Sequence, residues 1–196
     1  FIELFKALGY QQREPSDYFP DLSGGHIVLA LLIIAVMPAV VEETLFRGII
    51  LNTCEDSLGT VRTIFIVGFS FALFHASPEQ TVYQFIAGCA FAFLALRSGS
   101  ILPSVLMHFI NNALIIVFKA CGLFDSGGNL ILSDLAFILI TVFAGLAFIG
   151  SVVWLILDKK PLKKAKSGGV KWFFAFASIG VLLMSINWIS SFFAPL

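Results

Sequence analysis

The stretch HIVLALLIIAVMPAVVEETLFRGIILN, residues 26–52, sets three ionisable side chains, Glu42, Glu43 and Arg47, inside an apolar run long enough to cross a bilayer. An ionisable group near the bilayer centre costs at least about 2.5 to 3.5 kcal/mol on insertion scales, so three within six positions mark a buried polar site. Outward from this stretch, two further apolar runs carry one histidine each, His75 and His108, and no other span holds an ionisable residue away from its ends. The polar groups are collected in one place.

Composition agrees with a membrane protein. Hydrophobic residues make up 59% of the chain and charged residues 12%, where soluble domains carry about 25% charged residues; mean hydropathy is +0.98. A formal net charge of zero argues against a nucleic-acid partner, which calls for a basic face. The 22 phenylalanines suit lipid-facing and helix-packing surfaces. Cys54, Cys89 and Cys121 lack C-x-x-C spacing, so a disulfide framework or thiolate metal site is not expected, and they read as small packing residues.

The pattern predicts an all-α fold, a polytopic transmembrane bundle of about six spans with the polar site inside it. The spans run from His26 to Asn52, Thr63 to Ser77, Gln80 to Leu96, Ile101 to Phe118, Leu135 to Leu157 and Val170 to Phe193. Turn chemistry breaks them at Asp56 to Gly59, Ser77-Pro78, Ser98-Gly99-Ser100 and Asp125 to Asn129. Residues 1–25 read as an extracytoplasmic segment with a short interfacial helix over Phe1 to Gln11. Residues 26–119 read as a four-helix catalytic core, and residues 120–196 as two further helices joined by a lysine-rich loop. Lys159, Lys160, Lys163, Lys164, Lys166 and Lys171 crowd that loop, which places it in the cytoplasm. Counting back, the loops with Arg62 and Arg97 are also inside, and those with Glu79 and Asp125 outside. The N-terminal segment then starts outside without a signal peptide, so an upstream span is expected.

Residues four apart share a helix face, which pairs Glu43 with Arg47, Glu42 with Phe46, Phe71 with His75 and His108 with Asn112. Glu43 and Arg47 can close an ion pair that neutralises both. Glu42 is turned about 100° away and must face something else. Pro38 removes the bond to the Ile34 carbonyl and is expected to kink the helix above the glutamates, opening a water-filled pocket. A carboxylate, two imidazoles and an amide meeting there suit hydrolysis of a peptide bond by water. Glu42 is the candidate base and His75 its partner on the water, while His108 and Asn112 are candidate donors to the oxyanion. Asn111 is open between packing and site support, and Phe71 reads as a wall of the pocket.

The motifs Glu42-Glu43-Thr44-Leu45-Phe46-Arg47 (E-E-x-x-x-R), Phe71 to His75 (F-x-x-x-H) and His108 to Asn112 (H-x-x-x-N) resemble the CPBP family. This is the CAAX amino-terminal protease and bacteriocin-processing group, related to the type II CAAX prenyl endopeptidases. The resemblance spans about Met37 to Asn112. It implies an intramembrane glutamate protease with Glu42, His75, His108 and Asn112 as catalytic residues and Glu43, Arg47 and Phe71 supporting them. The implied partners are the lipid bilayer and a CAAX-like or other membrane-associated peptide or protein, lipid-modified in some members. Short loops point to a bacterial cytoplasmic membrane.

No cofactor is expected. A zinc ion held by Glu42, His75 and His108 is the alternative, disfavoured because H-E-x-x-H is lacking and too few groups remain to serve as base. A non-enzymatic scaffold, immunity factor or proton-coupled carrier using Glu42 is the alternative function. Helix counting also sets His75 near the outer end and His108 near the inner end of their spans, so tilted or shortened helices must bring them level.

Overall fold

In the computed structural model, the described residues are 25–124, 131–136, 161–164 and 169–193, with Ala7, Tyr10, Leu22 and single positions between 138 and 157. Among them the architecture is all-helical. Five helices carry it: α1 His26–Leu58, α2 Thr60–Phe74, α3 Thr81–Ser98, α4 Leu102–Ala120 and α5 Gly169–Phe193. Of these, α1, α3 and α4 are long and apolar enough to span a bilayer. The expected helix over Phe1 to Gln11 and the span Leu135 to Leu157 lie outside the described residues except for single positions.

The first span does not stop at Asn52. Its polar end residues bond back to their own helix: Asn52 Nδ2 donates to the Gly48 carbonyl at 2.8 Å and Thr53 Oγ1 to the Ile49 carbonyl at 2.9 Å. Their side chains therefore satisfy themselves without unwinding the turn. The helix ends at Gly59, whose φ of 76° is costly for any residue with a Cβ. Nor does Pro38 end the helix. Two π-helical segments, Leu31–Val36 and Thr44–Ile50, flank the α-helical turn Met37–Glu43 that holds both Pro38 and the glutamates. Such π segments absorb a lost i→i−4 bond and recur at functional sites.

Two apolar clusters join the helices. Phe46, Leu51, Val67, Phe71, Ala92 and Ala95 lock α1, α2 and α3 together. Ala30, Ala35 and Ile116, with Phe109 and Ala113 beside them, join the first half of α1 to α4. Between α2 and α3 the contact is backbone to backbone: a Cβ on Gly88 would lie 2.9 Å from Gly68 Cα. Small residues permit this approach, as in other membrane helix pairs. Outward, Leu29, Leu32, Phe65, Ile86, Leu106 and Ile179 are exposed, an apolar surface that suits lipid. α5 packs on α2 and the end of α1, and its Trp188 Nε1 donates to Thr81 Oγ1 at 2.8 Å.

Residues 161–164 meet the α1–α2 turn. Thr60 N donates to the Lys163 carbonyl at 3.0 Å, Lys163 N to Thr60 Oγ1 at 2.9 Å, and Lys163 Nζ lies 2.7 Å from Glu55 Oε2. Residues 161–164 thus lie at the same end of the bundle as the α1–α2 turn. Of the cysteines, Cys54 is buried as a packing residue should be, whereas Cys121 is exposed past the end of α4.

Candidate active site

The two adjacent glutamates face different surroundings because successive helical positions differ by about 100°. Glu43 points into the bundle and is fully buried. Its Oε1 accepts from Arg47 Nη1 at 2.7 Å and from His108 Nδ1 at 3.0 Å. Arg47 sends Nη2 on to the Gly88 carbonyl at 3.0 Å, which the Gly68–Gly88 contact brings within reach. The guanidinium lies 4.5 Å from the Phe71 ring centre and 5.4 Å from that of Phe91. Aromatic faces attract a desolvated cation, so the charge is held on several sides.

Glu42 faces a cavity of about 460 Å³, lined also by Ile34, Pro38, Phe71, His75, Tyr83, Gln84, Phe91, His108, Asn111 and Asn112. That volume is within the range of small-ligand sites. Its Oε2 is 3.7 Å from His75 Nε2 and has no hydrogen-bond partner among the described residues. His75 Nδ1 lies 2.8 Å from the Phe71 carbonyl. A carbonyl only accepts, so Nδ1 carries the proton, and a neutral ring then turns the Nε2 lone pair towards Glu42. The offset expected from helix counting does not keep the two histidines apart, since His75 and His108 line the same cavity. Both imidazoles pack on the Phe71 ring, at 4.6 Å for His75 and 5.9 Å for His108. One aromatic side chain therefore forms the shared wall.

Asn112 Nδ2 donates to the Ile34 carbonyl at 3.0 Å, the acceptor that Pro38 deprives of its usual α-helical donor. Asn111 Nδ2 donates to Asn112 Oδ1 at 3.2 Å, and Tyr83 Oη to Asn111 Oδ1 at 2.6 Å. Asn111 thus joins the site, and Tyr83 enters it without a sequence motif. So does Phe91, stacked on His108 with ring centres 5.5 Å apart. The signal available in advance was periodicity: Gln80, Tyr83, Gln84, Ala87 and Phe91 recur at helical spacing on one face of α3.

Glu43 is committed to His108 as well as Arg47, a correction to the simple i,i+4 pair. Among the described residues, no three His, Cys, Asp or Glu side chains converge as a set able to hold an ion, Glu42, His75 and His108 included. His108 turns its Nδ1 to Glu43.

Residues 24–114 match a family model, that of the type II CAAX prenyl endopeptidase Rce1-like proteins. The matched segment contains Glu42, Glu43, Arg47, Phe71, His75, Tyr83, His108, Asn111 and Asn112. No curated protein and no solved structure matches the chain.

Proposed function

We propose that this chain, whose residues 24–114 match the model of the type II CAAX prenyl endopeptidase Rce1-like family, is a membrane protease that hydrolyses a peptide bond with water activated at Glu42. The family match supports the protease reading, and the geometry around Glu42 supports the glutamate mechanism. One observation carries it: Glu42 Oε2 faces the cavity unpartnered among the described residues, 3.7 Å from His75 Nε2. A water held between the carboxylate and the imidazole can lose its proton to Glu42 as its oxygen attacks the carbonyl carbon. The C–N bond then breaks, and Glu42 returns the proton to the leaving amine.

His108 and Asn112 stabilise the oxyanion. For that role His108 Nε2 must carry a proton while Nδ1–H stays on Glu43, an imidazolium whose charge faces the Glu43 carboxylate. Asn112 spends one amide hydrogen on Ile34 and keeps the second for the substrate. Each such donor contributes roughly 3 to 4 kcal/mol to the transition state. Apolar lining from Ile34, Phe71, Phe91, Ile115 and Ile116 supports a membrane-borne peptide or protein substrate, CAAX-like or lipid-modified. No metal is needed for these steps.

The test is mass spectrometry of a farnesylated CAAX peptide and a panel of membrane peptides, incubated with wild type and with Glu42→Gln, each with and without a strong chelator. Cleavage by wild type alone, unchanged by chelator, is expected. Loss of cleavage with chelator would move Glu42, His75 and His108 into a metal site. No cleavage by folded wild type would favour the scaffold or carrier alternative.

A further inference from the structure

The Ile34 carbonyl can only accept a hydrogen bond, and that restriction sets the direction of every bond in the row that leads from it. Pro38 has no N–H, so it leaves this carbonyl open to a side chain. Asn112 must turn Nδ2 towards Ile34, at 3.0 Å, which turns its Oδ1 towards Asn111. Asn111 must then offer Nδ2, at 3.2 Å, and present its own Oδ1 to the Tyr83 hydroxyl, at 2.6 Å. A flip of Asn112 would set oxygen against oxygen at Ile34 and two N–H groups face to face at Asn111, and a flip of Asn111 would set its Oδ1 against that of Asn112. The row has one self-consistent arrangement.

All four residues line the cavity that holds Glu42 and His75. An unanchored asparagine amide can present either its oxygen or its nitrogen to a substrate, and only the nitrogen stabilises an oxyanion. We infer that Tyr83 and Asn111 are positioning residues that hold the Asn112 amide with its second N–H towards the substrate carbonyl, in a polarity fixed by Pro38. The inference rests on the proposed role of Asn112. Tyr83 touches neither the reacting atoms nor the water and acts through Asn111.

A double-mutant cycle tests it. Wild type, Tyr83→Phe, Asn112→Ala and the double variant are assayed on a quenched-fluorescent farnesylated CAAX peptide, and their thermal unfolding midpoints are measured in detergent. Tyr83→Phe keeps the ring and should lower kcat by about tenfold with KM unchanged, less than the roughly 10²–10³ lost with an oxyanion donor. In the Asn112→Ala background the same substitution should lower kcat no further. An equal loss in both backgrounds, or none in wild type, would overturn the inference and leave the role of Asn112 standing. A harmless Asn112→Ala would overturn both. Should the peptide not be cut, the midpoints decide: non-additive shifts support the row of bonds, and additive shifts refute it.

Discussion

Replacing Arg47 with Met removes the one guanidinium from the centre of the bundle and keeps most of the side-chain volume. The pair it breaks is fully buried on both sides, with Nη1 2.7 Å from Glu43 Oε1. Removing one partner of such a pair leaves an uncompensated buried charge and costs about 3 to 5 kcal/mol. The Gly88 carbonyl loses its donor from a charged group as well, although part of that loss is already inside the same figure. At about 2 to 4 °C per kcal/mol for a chain of this size, the thermal midpoint should fall by about 6 to 20 °C. Adding Glu43→Gln to Arg47→Met removes the stranded charge and keeps an acceptor for His108 Nδ1. The double variant should therefore recover at least half of the loss. Circular dichroism melts of the three proteins in one detergent measure this. A single variant that melts within 2 °C of wild type, or a double variant less stable than the single, would refute the view that Arg47 is there to neutralise Glu43.

Glu42→Gln should leave the melting midpoint almost unchanged while abolishing peptide cleavage, since Oε2 makes no hydrogen bond among the described residues; a large drop in midpoint would make Glu42 a structural residue. Gly88→Ala places a Cβ 2.9 Å from Gly68 Cα and 3.2 Å from Phe71 Cβ, so α2 and α3 must separate, at a cost of about 1 to 3 kcal/mol. Chemical denaturation checks it, and an unchanged midpoint would show that the helices are not held at this contact. The hydrogen bond from Lys163 to Glu55 holds the Lys163 ammonium above the usual lysine range. Its contribution is complete below the ordinary lysine value and is lost as pH rises through the raised one. Exchange of the Thr60 amide should therefore accelerate beyond its ordinary base-catalysed slope only in strongly alkaline solution; acceleration near neutral pH would contradict that clasp.

What sequence alone resolves here follows the reach of its periodicities. The Glu43–Arg47 pair lies within one helix, so 3.6-residue spacing finds it. The Glu43–His108 bond spans 65 positions, and no periodicity within either helix points to it. Pro38 announces that the Ile34 carbonyl loses a donor but is silent on who replaces it, because Asn112 arrives from α4. The boundary at Asn52 failed for a different reason. A polar residue looks like a helix end until its side chain is seen bonding to its own backbone, and Asn52 and Thr53 both do so. Tyr83 carries no motif, and its helical spacing with Gln80, Gln84 and Phe91 gives a face but not the contact with Asn111.

Adjacent glutamates are an expensive choice for a membrane interior, and their surroundings explain how both can stand there. Glu43 Oε1 accepts from both Arg47 and His108, and the guanidinium offsets its negative charge. Arg47 in turn is held by the Gly88 carbonyl and by aromatic rings. That cluster therefore has no electrostatic need of Glu42, 100° away around the helix. Glu42 is left with one histidine at 3.7 Å and an oxygen without a hydrogen bond among the described residues. In the proposed mechanism the partner of this oxygen is the water that attacks the peptide bond. Removing the charge while keeping the side-chain shape, by Glu42→Gln, should therefore extinguish hydrolysis without lowering the melting midpoint. If such a variant still cleaved peptide at the wild-type rate, the open oxygen of Glu42 would not be the seat of the chemistry.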